Sequence, residues 1–286
     1  MLLVEHPGPL TTVQDLGRRG VAHLGVPRAG ALDRPAHRAA NRLVGNPPGA
    51  ATLETTMGGV ALRALGAPVL VAVTGAPCGV RVDDRPAAWG AAVLVPPGAR
   101  LDVGPADVGV RCYLAVRGGF APPAVLGSRS TDLLAGLGPS PLRTGDRLPV
   151  GEEFGGAPAE LLPLPAVPTE LVLRLVPGPQ ADWFRPGTFA ALAAARYRVA
   201  AASNRIALRT EGPALVRTRP GELASEGMVL GAVQVPPDGQ PVIFLADHPT
   251  TGGYPVVGVV PEADLAAAAQ ARPGIPIRFT PGGGRS

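Results

Sequence analysis

No lysine occurs anywhere in the 286 residues, so all 26 basic side chains are arginine. This excludes a Schiff-base lysine, a phosphate loop closed by lysine, and a lysine that carries biotin. Cysteine is nearly as scarce. Cys78 and Cys112 are the only two, and each sits in an apolar setting, GAPCGV and VRCYLAV. Buried free thiols are expected there rather than a disulfide or a nucleophile. The four histidines, His6, His23, His37 and His248, have no ligand spacing, and neither HExxH nor a CxxC pair is present. No bound metal is therefore expected, and no covalent biotin. GxSxG is missing too, which removes the usual signature of a nucleophile elbow.

Long apolar runs are also lacking. None reaches the ~18–20 residues of a membrane span. Glu5 and His6 stand where a secretory leader carries its apolar core, so a cytoplasmic protein without a membrane partner is expected. Charged residues make up only 17% against 46% hydrophobic, which argues for a packed core rather than disorder. Net charge is +4, and Arg18-Arg19 is the only adjacent basic pair. Without a basic stripe, no nucleic-acid partner is expected.

What is abundant is glycine, 39 residues, and proline, 35, spread along the chain without a repeat. Such punctuation predicts short strands joined by many turns. Val-rich strands are expected at 69–73, 92–95, 112–116, 171–176, 229–235, 242–246, 256–260 and 275–279. Helices are few: 34–44, capped by Asp33 with Pro35 in the first turn, then 188–196 and 262–271. The fold class is mainly β with a few helices, of the barrel or sandwich kind. The acidic, then Pro- and Leu-rich stretch 151–169 divides the chain as a linker. It separates an N-terminal β-barrel-like domain, 1–150, from a C-terminal β domain, 170–280, with a flexible tail at 281–286.

Five polar clusters stand at loop positions. The first, 11–18 (TTVQDLGR), either binds an amide or carboxylate or braces its own turn. The second, 25–33 (GVPRAGALD), puts Arg28 just ahead of a helix start, a place suited to a carboxylate or phosphate. Asp33 there reads more readily as a helix cap than as a catalytic group. Nearby Glu54 is either a paired structural acid or a general base. The third, 126–132 (LGSRSTD), offers hydroxyls and the Arg129 guanidinium, with Thr131 beside it; it is an anion site or an ordinary capped loop. The fourth is Ser203-Asn204-Arg205, an amide next to a fork donor. The fifth follows strand 242–246, where Gln234, Asp247, Thr250, Thr251, Gly252, Gly253 and Tyr254 surround a glycine-permitted close approach. Asp247 there is placed to accept from an amide N–H or to act as a base.

Taken in order, TTVQDLGRRG, GVPRAGALD, ANRLVGNPPGAATLE, YLAVRGGF, VLGSRSTD, SNRIALRTEG, SEGMVLGAVQVPPDGQP and DHPTTGGYP resemble the biotin-dependent carboxyltransferase/allophanate hydrolase subunit 2 family, across about residues 5 to 280. That family includes KipA-type proteins and the C subunit of 5-oxoprolinase. The resemblance implies two cyclophilin-like β-barrel domains and, for a partner, a KipI-type B subunit. It also implies a LamB/YcsF-type A subunit, with which the complex opens the lactam of 5-oxoproline to glutamate using ATP, at a site in this chain or shared with a partner. The related alternatives are a carboxyltransferase/allophanate hydrolase component working on urea or another small amide, and a regulatory protein that binds a KipI-type kinase inhibitor. On the leading reading Asp247, Tyr254 and Glu54 are the catalytic candidates, and the chain alone is expected to be inactive. Arg28, Arg129, Thr131, Asn204, Arg205, Gln234, Thr250, Thr251, Gly252 and Gly253 are the substrate-binding candidates. The family's run is usually DRQTTGGYP; this chain has His248 and Pro249 in place of the Arg and Gln.

Overall fold

The computed structural model describes every residue except 160, 166, 167, 220, 222 and 283–286. The chain divides into two compact units. The first comprises Met1–Arg19, Ala29–Asp132 and Gly136–Val167; the second comprises Gly20–Arg28, Leu133–Ala135 and Pro168–Ser286. Two short stretches of the first 150 residues thus group with the second unit, which departs from an uninterrupted domain 1–150.

The first unit contains β1 Leu2–His6, β2 Thr11–Gln14, α1 Arg34–Leu43, β3 Thr52–Thr56, β4 Val60–Ala64, β5 Val69–Gly75, β6 Cys78–Val82, β7 Arg85–Ala87, β8 Ala92–Val95, β9 Arg100–Ala106, β10 Arg111–Val116 and β11 Arg147–Leu148. They form a six-stranded sheet, β11-β1-β4-β9-β6-β7, and a five-stranded sheet, β2-β3-β10-β5-β8. Every pairing among them is antiparallel.

The continuous apolar run of β10 has a structural cause. Its residues are buried on both faces. Cys112, Leu114 and Val116 enter the core shared with the six-stranded sheet. Tyr113 and Ala115 point the other way and meet Ala40, Leu43 and Val44 of the α1 region. Alanine at 72 and 115 lets the helix lie close against β5 and β10. The helix starts where the sequence indicates: the Asp33 carboxylate accepts from Ala36 N–H at 3.0 Å.

The second unit contains β12 Leu171–Pro177, α2 Thr188–Ala194, β13 Tyr197–Val199, β14 Ala207–Glu211, β15 Glu226–Gly227, β16 Ala232–Gln234, β17 Val242–Phe244, β18 Thr251–Gly252, β19 Val256–Val259, α3 Glu262–Ala269 and β20 Pro276–Pro281. Seven of these strands close a barrel in the order β12-β19-β16-β17-β14-β13-β20, and β15 pairs with β18 as a separate ribbon. Closure removes the sheet edges that would otherwise seek partners. In β12, Leu171, Leu173 and Leu175 are buried and Val172 and Arg174 are exposed, the alternation of a barrel wall.

The mainly β fold with a few helices is therefore as expected. Within the expected linker, the described part of 151–165 carries no helix or strand. It is laced to the first unit: Ala159 N–H donates to Arg42 O at 3.1 Å and Leu162 N–H to Gly90 O at 2.8 Å. The expected flexible tail is corrected at its start. Pro281 pairs with Leu175 in parallel register, and Gly282 N–H donates to Leu175 O at 2.9 Å. The rest of that tail, 283–286, lies outside the described residues. Among the described residues, no helix is long and apolar enough to cross a membrane.

Candidate functional site

In the second unit, strand β17 delivers the chain into Asp247, which is fully buried. Its carboxylate takes two parallel bonds from Arg205, itself 2% exposed. Nε donates to Oδ2 at 2.9 Å and Nη2 to Oδ1 at 3.0 Å. Backbone reinforces the pair, with Asp247 N–H donating to Arg205 O at 3.1 Å. A bidentate guanidinium–carboxylate clamp of this kind fixes geometry strongly. It also corrects two expectations. The fork of Arg205 is engaged within the fold rather than offered to a substrate carboxylate, and Asp247 is a buried anchor rather than a solvent-facing base.

The loop above this anchor is held from several sides. Gln234 Nε2 donates to Tyr254 O at 3.0 Å, so its amide braces the loop. Met228 N–H donates to Thr250 O at 2.8 Å, and β15 pairs Gly227 with Thr251 and Glu226 with Gly252. A Cβ on Gly252 would meet Gln234 Nε2 at 2.8 Å, so a side chain there would displace the amide that braces the loop. The Arg217 guanidinium lies 5.6 Å from the Tyr254 ring centroid. Asn204, expected as a ligand amide, instead builds a turn: its Oδ1 accepts from Ile206 N–H at 2.8 Å and Ala207 N–H at 3.3 Å. What stays open on this rim is Thr251, with Thr250, Gly253 and Tyr254 half-buried.

His248 stands in the same loop, its ring stacked on Phe244 at 5.9 Å. Nδ1 lies 2.7 Å from Pro249 O, and a carbonyl can only accept, so Nδ1 carries the proton. The neutral ring then has its lone pair on Nε2. Burial pushes the His248 pKa down, against the Pro249 carbonyl and Asp247, which push it up.

In the first unit the motif around Asp15 and the LGSRSTD loop come together. Asp15 Oδ1 accepts from Ser128 Oγ at 2.6 Å, Ser130 Oγ at 2.6 Å and Gly17 N–H at 2.8 Å; Oδ2 accepts from Arg129 N–H at 2.7 Å. Burial raises the Asp15 pKa, but these four donors outweigh it and the net shift is downward. Arg18 ties the same loop through Val125 O at 3.1 Å and Ser130 O at 2.6 Å. Gln14 adds a bond to Thr131 O at 3.1 Å. Thr131 is 2% exposed, with its hydroxyl on Pro139 O at 2.8 Å, so it closes the loop from inside. Arg129 alone of this loop's candidates faces solvent, with Nε on Pro122 O at 3.0 Å.

Glu54 resolves to the structural alternative. It is 1% exposed and accepts from Tyr113 Oη at 2.7 Å and Leu32 N–H at 3.0 Å, with Arg111 Nε 3.6 Å away. Tyr113 in turn accepts from Asp33 N–H at 2.7 Å. Burial first, then the Glu54 and Asp33 charges, hold the Tyr113 phenol protonated. Together they pin the loop that follows Arg28, which is partly buried. Gly30 lets that loop pass within contact of Leu16 and Gly17: with φ +94°, a Cβ there would sit 2.8 Å from Gly17 N.

His37, on α1, is fully buried; its Nδ1 lies 2.9 Å from Thr52 Oγ1 and its Nε2 3.5 Å from Asn41 Nδ2. Burial lowers its pKa to about 4, with Asp15 and Glu54 pulling up and Arg38 pushing down. The folded chain therefore binds this proton less well than the unfolded chain, whose pKa is near 6.5. Its contribution to stability is full above pH 6.5 and is lost as the pH falls toward 4. We expect a loss of about 2 kcal/mol from this group between about pH 7 and pH 5. Urea unfolding at the two pH values checks it; His37→Leu should flatten the difference by that amount.

Of the candidate binding and catalytic residues, Arg129, Asn204 and Thr251 are exposed, and Arg28, Thr250, Gly252, Gly253 and Tyr254 are half-buried. Asp15, Tyr113, Ser128 and Ser130 carry more of the architecture than their local sequence suggests, because their partners lie far away along the chain. Among the described residues, no group of three or more His, Cys, Asp and Glu side chains is arranged to hold a metal.

A family model described as carboxyltransferase domain, subdomain A and B, matches residues 24–281. The chain is 39% identical to the C subunit of 5-oxoprolinase from Escherichia coli (strain K12) over 282 residues, covering 98% of this chain and 90% of that protein. The crystal structure of TTHA0988 superposes with a TM-score of 0.89 at 40% identity, covering 98% of this chain and 55% of that one. The K. lactis urea amidolyase structure gives 0.90 at 31% identity, covering 98% of this chain but 18% of that one.

Proposed function

The chain belongs to the family of the carboxyltransferase domain, subdomain A and B, and on that premise we propose that it is the C subunit of an ATP-dependent 5-oxoprolinase. The observation that carries this reading is coverage in both directions. The match to the E. coli protein spans 98% of this chain and 90% of its relative, so the alignment runs through most of both. Against urea amidolyase the correspondence is to one module of a much longer chain. In this reading the complex is completed by a KipI-type protein and a LamB/YcsF-type protein, works in the cytoplasm, and hydrolyses the lactam of 5-oxoproline to glutamate. The chain by itself is inactive.

Opening a lactam requires that amide resonance be broken, and ATP supplies that activation in the assembled enzyme. This chain offers ATP little. It has no lysine, and Arg38 and Arg42 are among the residues that line an open groove of about 420 Å³. ATP is accordingly assigned to the assembly, and no step is routed through it here. The residues of this chain bind and orient. Arg129 presents its outer guanidinium nitrogens to the substrate carboxylate. Within the second unit, the rim of Thr250, Thr251, Gly252, Gly253 and Tyr254 presents hydroxyl and backbone donors on one loop. Arg205 and Asp247 hold that rim still.

The assignment of Arg129 is tested in the reconstituted complex. Its backbone N–H, not its side chain, holds Asp15, so Arg129→Ala should leave the fold intact. Losing a charge-assisted bond worth ~1.5–3 kcal/mol should raise KM for 5-oxoproline roughly ten- to a hundredfold, with a smaller effect on kcat. An unchanged KM would remove Arg129 from the site. A carboxyltransferase role is the second reading, supported by the urea amidolyase likeness. It predicts urea-dependent consumption of carboxybiotin and no glutamate.

A further inference from the structure

Helix α1 has two unlike sides. His37, Ala40, Asn41 and Leu43 are buried, while Pro35, Arg38, Ala39 and Arg42 fall at i, i+3, i+4 and i+7 and share the outer face. That face is one wall of the open groove of about 420 Å³. Gly45 and Pro48, from the turn after the helix, and Gly156, from the stretch that follows β11, line the rest. The volume lies in the lower part of the ~300–1,000 Å³ range of small-molecule sites. None of the residues assigned to the amide substrate lines it.

The walls of this groove are fixed. Gly45 and Gly156 pass so close that a Cβ on either would overlap the carbonyl oxygen of the other. Ala159 N–H donates to Arg42 O at 3.1 Å and ties the second wall to the helix end. Asn46, buried at the turn, donates Nδ2 to Val116 O at 2.8 Å and to Asn41 Oδ1 at 3.0 Å, and its Oδ1 accepts from Gly118 N–H at 3.0 Å. A site ordered in advance binds at a lower entropic cost. The two guanidinium groups, by contrast, are uncommitted. Both arginines are exposed, and neither joins an ion pair or a side-chain hydrogen bond among the described residues. Arg117, by comparison, pairs with Glu153 at 3.0 Å. No described acidic side chain lines the groove.

Two positive charges one helical turn apart, beside fixed walls and without a carboxylate between them, suit a compact dianion. Guanidinium forks match phosphate oxygens, to which they give paired N–H···O bonds. The C-terminal end of α1 works against an anion, but its carbonyls are already covered. Arg42 O accepts from Gly45 and Ala159, each at 3.1 Å, and Asn41 O accepts from Asn46 at 2.9 Å. No aromatic residue lines the groove, so it offers no ring on which a nucleobase would stack. We propose that the groove between α1 and residues 156–157 is a binding site for a small phosphate-bearing anion, whose phosphate group sits between Arg38 and Arg42. The site belongs to the first unit alone and does not depend on which amide the assembly works on.

The test is titration of the purified chain at low ionic strength and about pH 8, where phosphate is a dianion. Orthophosphate, ribose 5-phosphate, ADP and adenosine are compared by calorimetry and by amide chemical shifts. Saturable binding of orthophosphate is expected, with Kd on the order of 1 mM or tighter. The shifts should concentrate at residues 35–48 and 156–157, and added salt should weaken binding. Tighter binding of ribose 5-phosphate would identify an organic phosphate as the ligand, and equal binding would identify the free ion. Arg38→Gln combined with Arg42→Gln should weaken orthophosphate at least about tenfold. Arg147→Gln, which removes an exposed arginine on β11, should leave it unchanged. Absence of saturable orthophosphate binding, shifts centred elsewhere, or undiminished binding by the double variant would overturn the proposal. So would binding of adenosine together with ADP but not of orthophosphate, which would mark a nucleoside site. The wild-type shift map decides the matter even if the double variant fails to fold.

Discussion

Asp247→Ala should destabilise the second unit by about 3–5 kcal/mol, because it leaves the Arg205 guanidinium charged, 2% exposed and without the carboxylate that takes two of its bonds. Arg205→Ala should cost a similar amount from the other side. Asp247→Asn keeps the shape but removes the charge, so a smaller loss is expected. Replacing both partners by apolar residues of similar volume, Arg205→Met with Asp247→Leu, should recover much of the stability, since most of the single-variant cost is the orphaned charge. Denaturant unfolding of the four variants checks the order. The double variant separates two roles of the pair. If the clamp positions the 248–254 rim, the double variant should regain stability while ATP-dependent turnover in the complex stays low. Recovery of both together would make the pair purely a matter of stability.

Asp15→Ala should destabilise the first unit by roughly 3 kcal/mol, second only to the loss of the buried pair. Two of the four donors to Asp15, Gly17 N–H and Arg129 N–H, are backbone groups that cannot turn away. Each unmade bond of a buried donor costs about 1–3 kcal/mol. Asp15→Asn is expected to fare little better, because its amide nitrogen would face donors. The loss should be local first, with faster amide exchange at residues 128–130 before the rest of the sheet is affected. The pH sign follows from the downward shift of Asp15. Its contribution is present above the ordinary carboxylate pKa and disappears as pH falls through the lower folded value. Wild type and Asp15→Asn should therefore converge in stability at strongly acidic pH.

The sequence made some of this legible and hid the rest for physical reasons. Strand β8 at Ala92–Val95 carries its own signal, a short apolar run between Gly and Pro turns. So does α1, whose cap, proline and stop glycine are local in sequence. Strands β2 and β3 escape such a reading because they look polar, TTVQ and TLETT, although nearly every residue is buried. Their hydroxyls, amide and carboxylate are paired within the structure, as Gln14 is to Thr131 and Glu54 to Tyr113. Hydropathy cannot see a polar group satisfied 59 or 117 positions away. The same blindness makes Asp247 look like an open base and Arg205 like a ligand arm. Their spacing, 42 residues, carries no sign that each is the other's partner.

Service to ATP-dependent lactam opening, as part of an assembly, is the central claim about this chain. The direct measurement is glutamate formation from 5-oxoproline by the purified chain combined with its KipI-type and LamB/YcsF-type partners, with ATP present or withheld and each protein omitted in turn. Glutamate should appear only when all three proteins and ATP are present, and urea in place of 5-oxoproline should support no turnover. Undiminished glutamate release when this chain is left out, or release by this chain alone, would contradict it.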